Sequence, residues 1–105
     1  FTRIRHLCFV GHSHVPCVIT EDPDLFIPKD AEREVAIEDV RMIVNEGSVG
    51  QPRDGDNRTC YLVFDEEART VEWRRLTYDI DVTAAKIEAM CGKGSWCAAR
   101  LWKGR

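Results

Sequence analysis

Two histidines separated by one residue are the side chains best suited to chemistry in this 105-residue chain. They are His12 and His14, in a Gly-His-Ser-His segment that directly follows an apolar run. Residues i and i+2 of an extended chain point to the same side, so both imidazoles could face one metal site. The preceding Gly11 lets backbone or substrate come close. The spacing predicts a metal-binding edge, although a catalytic metal normally needs more protein ligands than a pair.

Other readings of these residues remain open at this point. The histidines could belong to a surface turn and be merely solvated, or a structural zinc site could combine them with His6, Cys8 or Cys17. The five cysteines are odd in number and show no Cys-x-x-Cys spacing, which argues against a disulfide framework or a zinc ribbon. We interpret Cys8 and Cys60, which lie inside apolar runs, as small buried hydrophobic residues.

Composition limits the class of protein. With 44% hydrophobic and 31% charged residues, the chain is typical of one soluble globular domain. Its formal net charge of -3 argues against binding to a nucleic-acid backbone. No apolar stretch reaches the length of a membrane span, and no signal segment opens the chain. A cytoplasmic location and no membrane partner are therefore expected.

Hydrophobic periodicity predicts strands first and helices last, which is an α+β class with a mixed, mostly antiparallel sheet. The predicted strands cover residues 6–10, 15–19, 34–37, 41–44, 59–64 and 70–76. Residues 21–33 are predicted as an acidic loop, and residues 65–69 as a five-residue hairpin connection. The predicted helices cover residues 82–91, with Asp81 as the cap, and residues 95–102. We expect Trp96, Ala99 and Leu101 of the last helix to cover part of the sheet.

A second loop, residues 45–56, is dense in turn-forming residues and reads Asn-Glu-Gly-Ser-Val-Gly-Gln-Pro-Arg-Asp-Gly-Asp. Together with Gly-His-Ser-His-Val-Pro at residues 11–16, it resembles the carboxy-terminal portion of calcineurin-like metallophosphoesterases. Compact bacterial members carry Gly-His-Thr-His-Val-Pro and Asn-Pro-Gly-Ser-Val-Gly-Gln-Pro-Arg-Asp-Gly-Asp. The tryptophan-bearing hairpin and the Leu-Trp-Lys-Gly-Arg ending also look like that group, so the resemblance spans nearly the whole chain.

The resemblance implies a phosphoester hydrolase in which two divalent metals, manganese, iron or zinc, activate water for attack on phosphorus. By position in the motif, His14 would ligate the first metal and His12 the second. The family fold is a sandwich of two sheets flanked by helices. The resemblance implies that this chain supplies mostly the second sheet together with the terminal helices.

The second loop predicts contacts to the phosphate. Free backbone amides of Gly47 and Ser48 could bind an anionic oxygen, although a mainly architectural role is the alternative. Arg53 could contact phosphate, or it could instead form a structural salt bridge with Asp54 or Asp56. We expect Asn45 to cap or pin the end of the preceding strand. Glu46 replaces the usual proline of the family and brings a negative charge close to this site.

The aspartate, asparagine and histidine motifs of the amino-terminal half of the family have no counterpart here. Asp22, Asp24 and Asp30 lack the needed spacing, and we interpret them as a solvated face. We expect the chain to be a carboxy-terminal half that binds no metal or one weakly and is inactive alone. Its partners would be the phosphoester substrate and the missing half, or a second copy through an exposed apolar sheet. The alternative is a noncatalytic metal-binding or interaction module that complements another chain.

Overall fold

The computed structural model describes residues 1–22, 24–28 and 34–105. Within these ranges the chain forms seven strands and two helices. The strands are β1 (Leu7–Val10), β2 (Cys17–Thr20), β3 (Leu25–Phe26), β4 (Glu34–Ala36), β5 (Met42–Asn45), β6 (Thr59–Asp65) and β7 (Thr70–Leu76). The helices are α1 (Ile80–Cys91) and α2 (Trp96–Lys103). The mixed α+β class expected from the sequence is confirmed.

The first sheet has the strand order β1-β5-β2-β3. β1 runs parallel to β5, whereas β2 is antiparallel to both β5 and β3. β5 lies between two partners, and its Met42 and Val44 are almost completely buried. A strand in this position favours a continuous apolar run, which is why residues 41–44 show no polar alternation. β3 falls inside the segment predicted as a loop, so that part of the prediction is wrong.

The second sheet is antiparallel, with the order β4-β7-β6. Alternation along β7 turns Val71, Trp73 and Arg75 inward, while Arg74 faces solvent. The β6–β7 pairing closes with Asp65 opposite Thr70. The connection therefore has one residue fewer than the five predicted. Asp65 itself stabilises the turn, because its Oδ1 accepts a hydrogen bond from the amide of Ala68 at 2.8 Å.

The two sheets enclose a common apolar core. Its buried members come from both sheets and from the segment beside β4: Val18, Ile37, Met42, Val44, Cys60, Val71 and Trp73. We expected the chain to supply mostly one sheet of a sandwich, and that expectation is wrong. The sequence of an individual strand does not indicate which sheet the strand joins, since strand pairing depends on contacts between residues distant in sequence.

The helices form a second apolar cluster of their own, with Ala84, Ala98 and Leu101 buried. The cap of α1 is Asp79 rather than Asp81, and its carboxylate accepts the amide hydrogen of Val82 at 3.0 Å. The expected sheet contacts of the last helix are wrong, because Leu101 is buried in this helix cluster, Ala99 is exposed, and Trp96 has 69% of its surface exposed. Its indole instead lies under a guanidinium of the same helix, with Arg100 Cζ 4.0 Å from the ring centroid.

The molecule is elongated, with extents of 49 × 26 × 19 Å and a radius of gyration of 15.7 Å. A compact domain of this length would have a radius of gyration of about 13 Å. Large apolar side chains at the open side of the sandwich are partly exposed, among them Phe9 and Phe64. In the part of the chain that is described, no helix has the length and apolar character needed to cross a membrane.

Candidate metal and phosphate site

The two loops that carry the candidate residues leave the carboxyl ends of neighbouring parallel strands. Residues 11–16 follow β1, and residues 46–58 follow β5. The pairing continues one step past the strands, because the amide of Glu46 donates to the carbonyl of Val10 at 3.1 Å. Crevices at the carboxyl ends of parallel strands are the usual position of binding sites in open sheets. The strand pairing therefore brings the two predicted loops together.

The backbone of the histidine loop is not extended, which corrects the premise of the spacing argument. His12 has φ 72° and His14 has φ 62°, both in the left-handed region that residues other than glycine rarely adopt. The amide of Ser13 donates to the carbonyl of Gly11 at 2.9 Å, so His12 occupies the centre of a three-residue turn. Such strain persists only where surrounding contacts enforce it, and it is concentrated at functional sites.

Asn45 supplies those contacts. Its buried side-chain amide donates to the carbonyl of Gly11 at 2.6 Å and to Ser13 Oγ at 2.9 Å. Its Oδ1 accepts from the amide of Gly47 at 3.0 Å, and its backbone carbonyl accepts from Trp73 Nε1 at 2.9 Å. Asn45 therefore ties both loops to the core through the buried indole. It does more than pin the end of a strand.

Two hydrogen bonds to the second loop hold His14 in place. Its Nδ1 lies 2.7 Å from the backbone carbonyl of Gln51. A carbonyl only accepts, so Nδ1 carries a hydrogen, and Nε2 is the nitrogen whose lone pair a metal would bind in the neutral ring. A second hydrogen bond joins the same loops, from the amide of Arg53 to the carbonyl of His14 at 3.1 Å. A carbonyl that orients the far nitrogen is a common support of metal-binding histidines.

Gly47 is architectural. Its amide is not free for an anion, because it donates to Asn45 Oδ1. Its φ is +85°, and an added Cβ would lie 2.8 Å from Cys60 Sγ. The Oγ of Ser48 accepts from the amide of Gln51 at 2.9 Å, and its carbonyl accepts from the amide of Cys60 at 2.9 Å. Neither contact involves the Ser48 amide, whose contact with phosphate stays a prediction. The expectation of a free Gly47 amide is wrong.

Arg53 does not form the structural salt bridge that the sequence left open. Its exposed guanidinium contacts Gln51 Oε1 at 3.1 Å, and in the described part of the chain no carboxylate pairs with it. Asp54 pairs instead with Arg75. Asp56 pairs with Arg58, whose hydrogen bonds hold the pKa of that carboxyl below its ordinary value.

Arg75 is the residue of this region that sequence reasoning missed. Only 3% of the Arg75 side chain is exposed, and only 13% of the Asp54 side chain is exposed. Its Nη1 also donates to the carbonyl of Arg58 at 3.2 Å. Alternation along β7 was the available signal, because a residue two positions after the buried Trp73 must also point inward. Buried arginine is rare unless it is paired, so the alternation itself predicts a nearby acid.

The described residues contain no side-chain cluster that fits the cysteine-based zinc site. Among residues 1–22, 24–28 and 34–105, no three histidine, cysteine or acidic side chains are placed to hold a metal together. His6 Nε2 lies 2.8 Å from the carbonyl of Glu38. Burial raises the pKa of the thiols of Cys17 and Cys60, which disfavours the thiolate form that metals bind.

The remaining candidates lie as follows. Asp22 and Asp24 are exposed, as expected, and Asp30 falls outside the described residues. Glu46 is exposed, and its Oε1 lies 3.5 Å from the position of a Cβ added to Gly11, directly beside the histidine loop. Its charge is therefore adjacent to the candidate site. Cys60 is buried, as expected, whereas Cys8 is only half-buried.

Comparison with known proteins agrees with this architecture. No protein-family model matches the sequence. An uncharacterized protein of Methanocaldococcus jannaschii is 41% identical over 100 residues, which cover 94% of this chain and 40% of that protein. The crystal structure of a metallophosphoesterase from Sphaerobacter thermophilus superposes with a TM-score of 0.84 at 38% identity, over 94% of this chain and 42% of that one.

The chain thus spans about two fifths of the length of the proteins it matches. The match extends over almost all of its own residues. This coverage is consistent with a carboxy-terminal half. In sequence and in fold, the chain is similar to part of a metallophosphoesterase, and the family resemblance predicted from its sequence is confirmed.

Proposed function

We propose that this chain contributes the histidine side of a metal-dependent phosphoester hydrolase site and needs a further segment for activity. The observation that carries the proposal is the hydrogen bond from His14 Nδ1 to the carbonyl of Gln51. It joins the two family-like loops and leaves Nε2 as the ligand atom. His12, in the strained turn two residues earlier, is the other proposed ligand.

The donor set fits one side of a two-metal centre. Imidazole nitrogens suit manganese, iron and zinc, and the carboxylates that would complete the set are proposed to come from outside these residues. When bound, the metals supply positive charge that stabilises a phosphoryl group during in-line attack by water. The residues of this chain hold the ligand nitrogens in place through Asn45 and Gln51.

Arg53 is the proposed contact to the substrate phosphate. It lies beside the His14 loop, is exposed, and has no carboxylate partner among the described residues. A guanidinium binds phosphoryl oxygens in a charge-assisted, bidentate geometry. Ser48 and Gly47 shape the loop from which it projects.

The proposed partner is the amino-terminal part of such an enzyme. β1 is the outer strand of one sheet and β6 of the other, and the two are linked by a ring contact between Phe9 and Phe64 at 5.5 Å. Both rings are about two-fifths exposed. Open strand edges and apolar rings at one side of a sandwich favour the addition of further strands.

Metal titration tests the ligand assignment. Mn²⁺ added to the ¹⁵N-labelled protein should broaden the resonances of residues 11–15 and 51–53 before others. His12→Gln and His14→Gln should each abolish that selectivity. His6→Gln is the matched control, since His6 contacts Glu38 outside the loops. Uniform broadening, or selective broadening that survives both substitutions, contradicts the assignment.

An activity assay tests the need for a second segment. The chain alone should not hydrolyse a generic aryl phosphodiester with Mn²⁺ present. Activity should arise when it is produced together with the amino-terminal portion of the Sphaerobacter metallophosphoesterase. Turnover by the chain alone refutes the inactivity proposed here. Selective metal binding without any turnover in the mixture favours the alternative, a noncatalytic metal-binding module, which the incomplete donor set of the described residues supports.

A further inference from the structure

The charged side chains close to Arg53 in sequence pair with other residues and not with Arg53. Arg53, Arg58 and Arg75 contribute three guanidiniums to one small region, and Asp54 and Asp56 contribute two carboxylates. Arg58 holds Asp56 through contacts of 3.1 Å from Nε and 2.7 Å from Nη2, and Arg75 holds Asp54. Among these five side chains, Arg53 is the one that has no opposite charge beside it in the described part of the chain, and its guanidinium is exposed.

The pairing of Arg75 is the more constrained of the two. The buried guanidinium also contacts the carbonyl of Arg58, and its Nε lies 3.9 Å from Asp56 Oδ2. Removal of a buried partner leaves an uncompensated charge, which will seek another ion. For Asp54 the adjacent cation in sequence is Arg53, the preceding residue.

We propose that Arg75 is a positioning residue that sequesters the carboxylate of Asp54 and so keeps Arg53 available for the phosphoryl group. The inference rests on the proposed function, because it requires Arg53 to bind an anion. It assigns a role to Arg75, which lies on β7 and therefore outside both loops of the candidate site. Arg75 itself does not contact the substrate.

The test uses inorganic phosphate as the probe, followed through the side-chain Nε–H resonance of Arg53. Arg75→Met should weaken phosphate binding about tenfold, the effect expected when a charged hydrogen-bond donor is captured by an internal acid. The double variant Arg75→Met/Asp54→Asn, which removes the competing carboxylate, should bind phosphate as the wild type does. Arg74→Met is the matched control, since Arg74 is exposed on the same strand and pairs with Glu72.

The outcomes separate the two proposals. No phosphate-dependent shift of Arg53 in the wild type overturns both the substrate role of Arg53 and this inference. Equal affinity in the wild type and Arg75→Met overturns this inference alone. An impaired double variant shows that Arg75 only anchors the loop, and it also contradicts the inference. The double variant carries the test by itself if Arg75→Met does not fold.

Discussion

At the residue scale, the candidate site depends on a few positions where the backbone approaches other atoms very closely. Gly47 is the clearest, because it combines a left-handed φ with contact to the core. The glycines of the second loop were visible in the sequence as turn formers. The sequence did not show that Gly47 is the one that faces a buried thiol, because Cys60 lies outside the loop, on β6.

Gly47→Ala should destabilise the protein by about 3 kcal/mol, since the added methyl group overlaps Cys60 and the residue must keep a positive φ. Gly50→Ala is the control, because no atom lies within 4 Å of its added Cβ. Urea unfolding followed by tryptophan fluorescence measures both. Similar losses in the two variants would contradict the packing argument.

Asp56 should make folding stability depend on pH. Hydrogen bonds from Arg58, with burial opposing them, lower the pKa of Asp56 in the folded state, whereas in the unfolded chain it is about 3.9. A carboxyl with a lowered folded pKa stabilises the protein above its unfolded pKa, and the effect is lost as the pH falls through the folded pKa. Asp56→Asn should therefore reduce stability at pH 7 more than at pH 2.5.

Thermal unfolding at the two pH values measures this difference. Asp24→Asn, at an exposed position away from the site, is the control. An Asp56→Asn effect of the same size at both pH values would show that the ion pair with Arg58 does not carry the pH dependence.

At the element scale, the end of α2 is joined to the second loop rather than merely following the sheet. The amide of Gly55 donates to the carbonyl of Gly104 at 2.9 Å, and Asn57 Nδ2 donates to the carbonyl of Trp102 at 3.1 Å. The helix itself was predictable from periodicity. Its contact with the loop joins residues 45 to 49 positions apart, which no local pattern reports.

Gly104→Ala tests this junction. Gly104 has φ 61°, and an added Cβ would lie 2.8 Å from the backbone of Asp56, so we expect a loss of about 3 kcal/mol. Gly94→Ala has a similar φ of 75° but open space, and should cost only about 1 kcal/mol. Chemical unfolding of both variants separates the steric contact from the backbone strain. Equal losses would rule out the close contact with Asp56.

At the scale of the whole molecule, the elongated shape and the open edges of β1 and β6 favour association. Phe9→Lys should reduce self-association of the isolated chain, because a charge on an edge strand opposes pairing with another copy. Met90→Lys is the control, since Met90 is 87% exposed on α1, a helix that packs against α2 and not against these strands. Sedimentation equilibrium over a concentration range measures the effect. A wild-type chain that stays strictly monomeric contradicts the prediction.

The sequence by itself determined the local features of this protein: the strand and helix segments other than β3 to within a few residues, the buried face of β7, and two loops whose motifs resemble those of metallophosphoesterases. These depend on periodicity and on turn-forming residues, which act over short separations. Only the tertiary structure decided that the strands divide between two sheets, that His12 and His14 have positive φ angles, and that Arg75 forms a salt bridge with Asp54. Each of these results from contacts between distant parts of the chain, whose geometry is set by packing and by the pairing of buried charge.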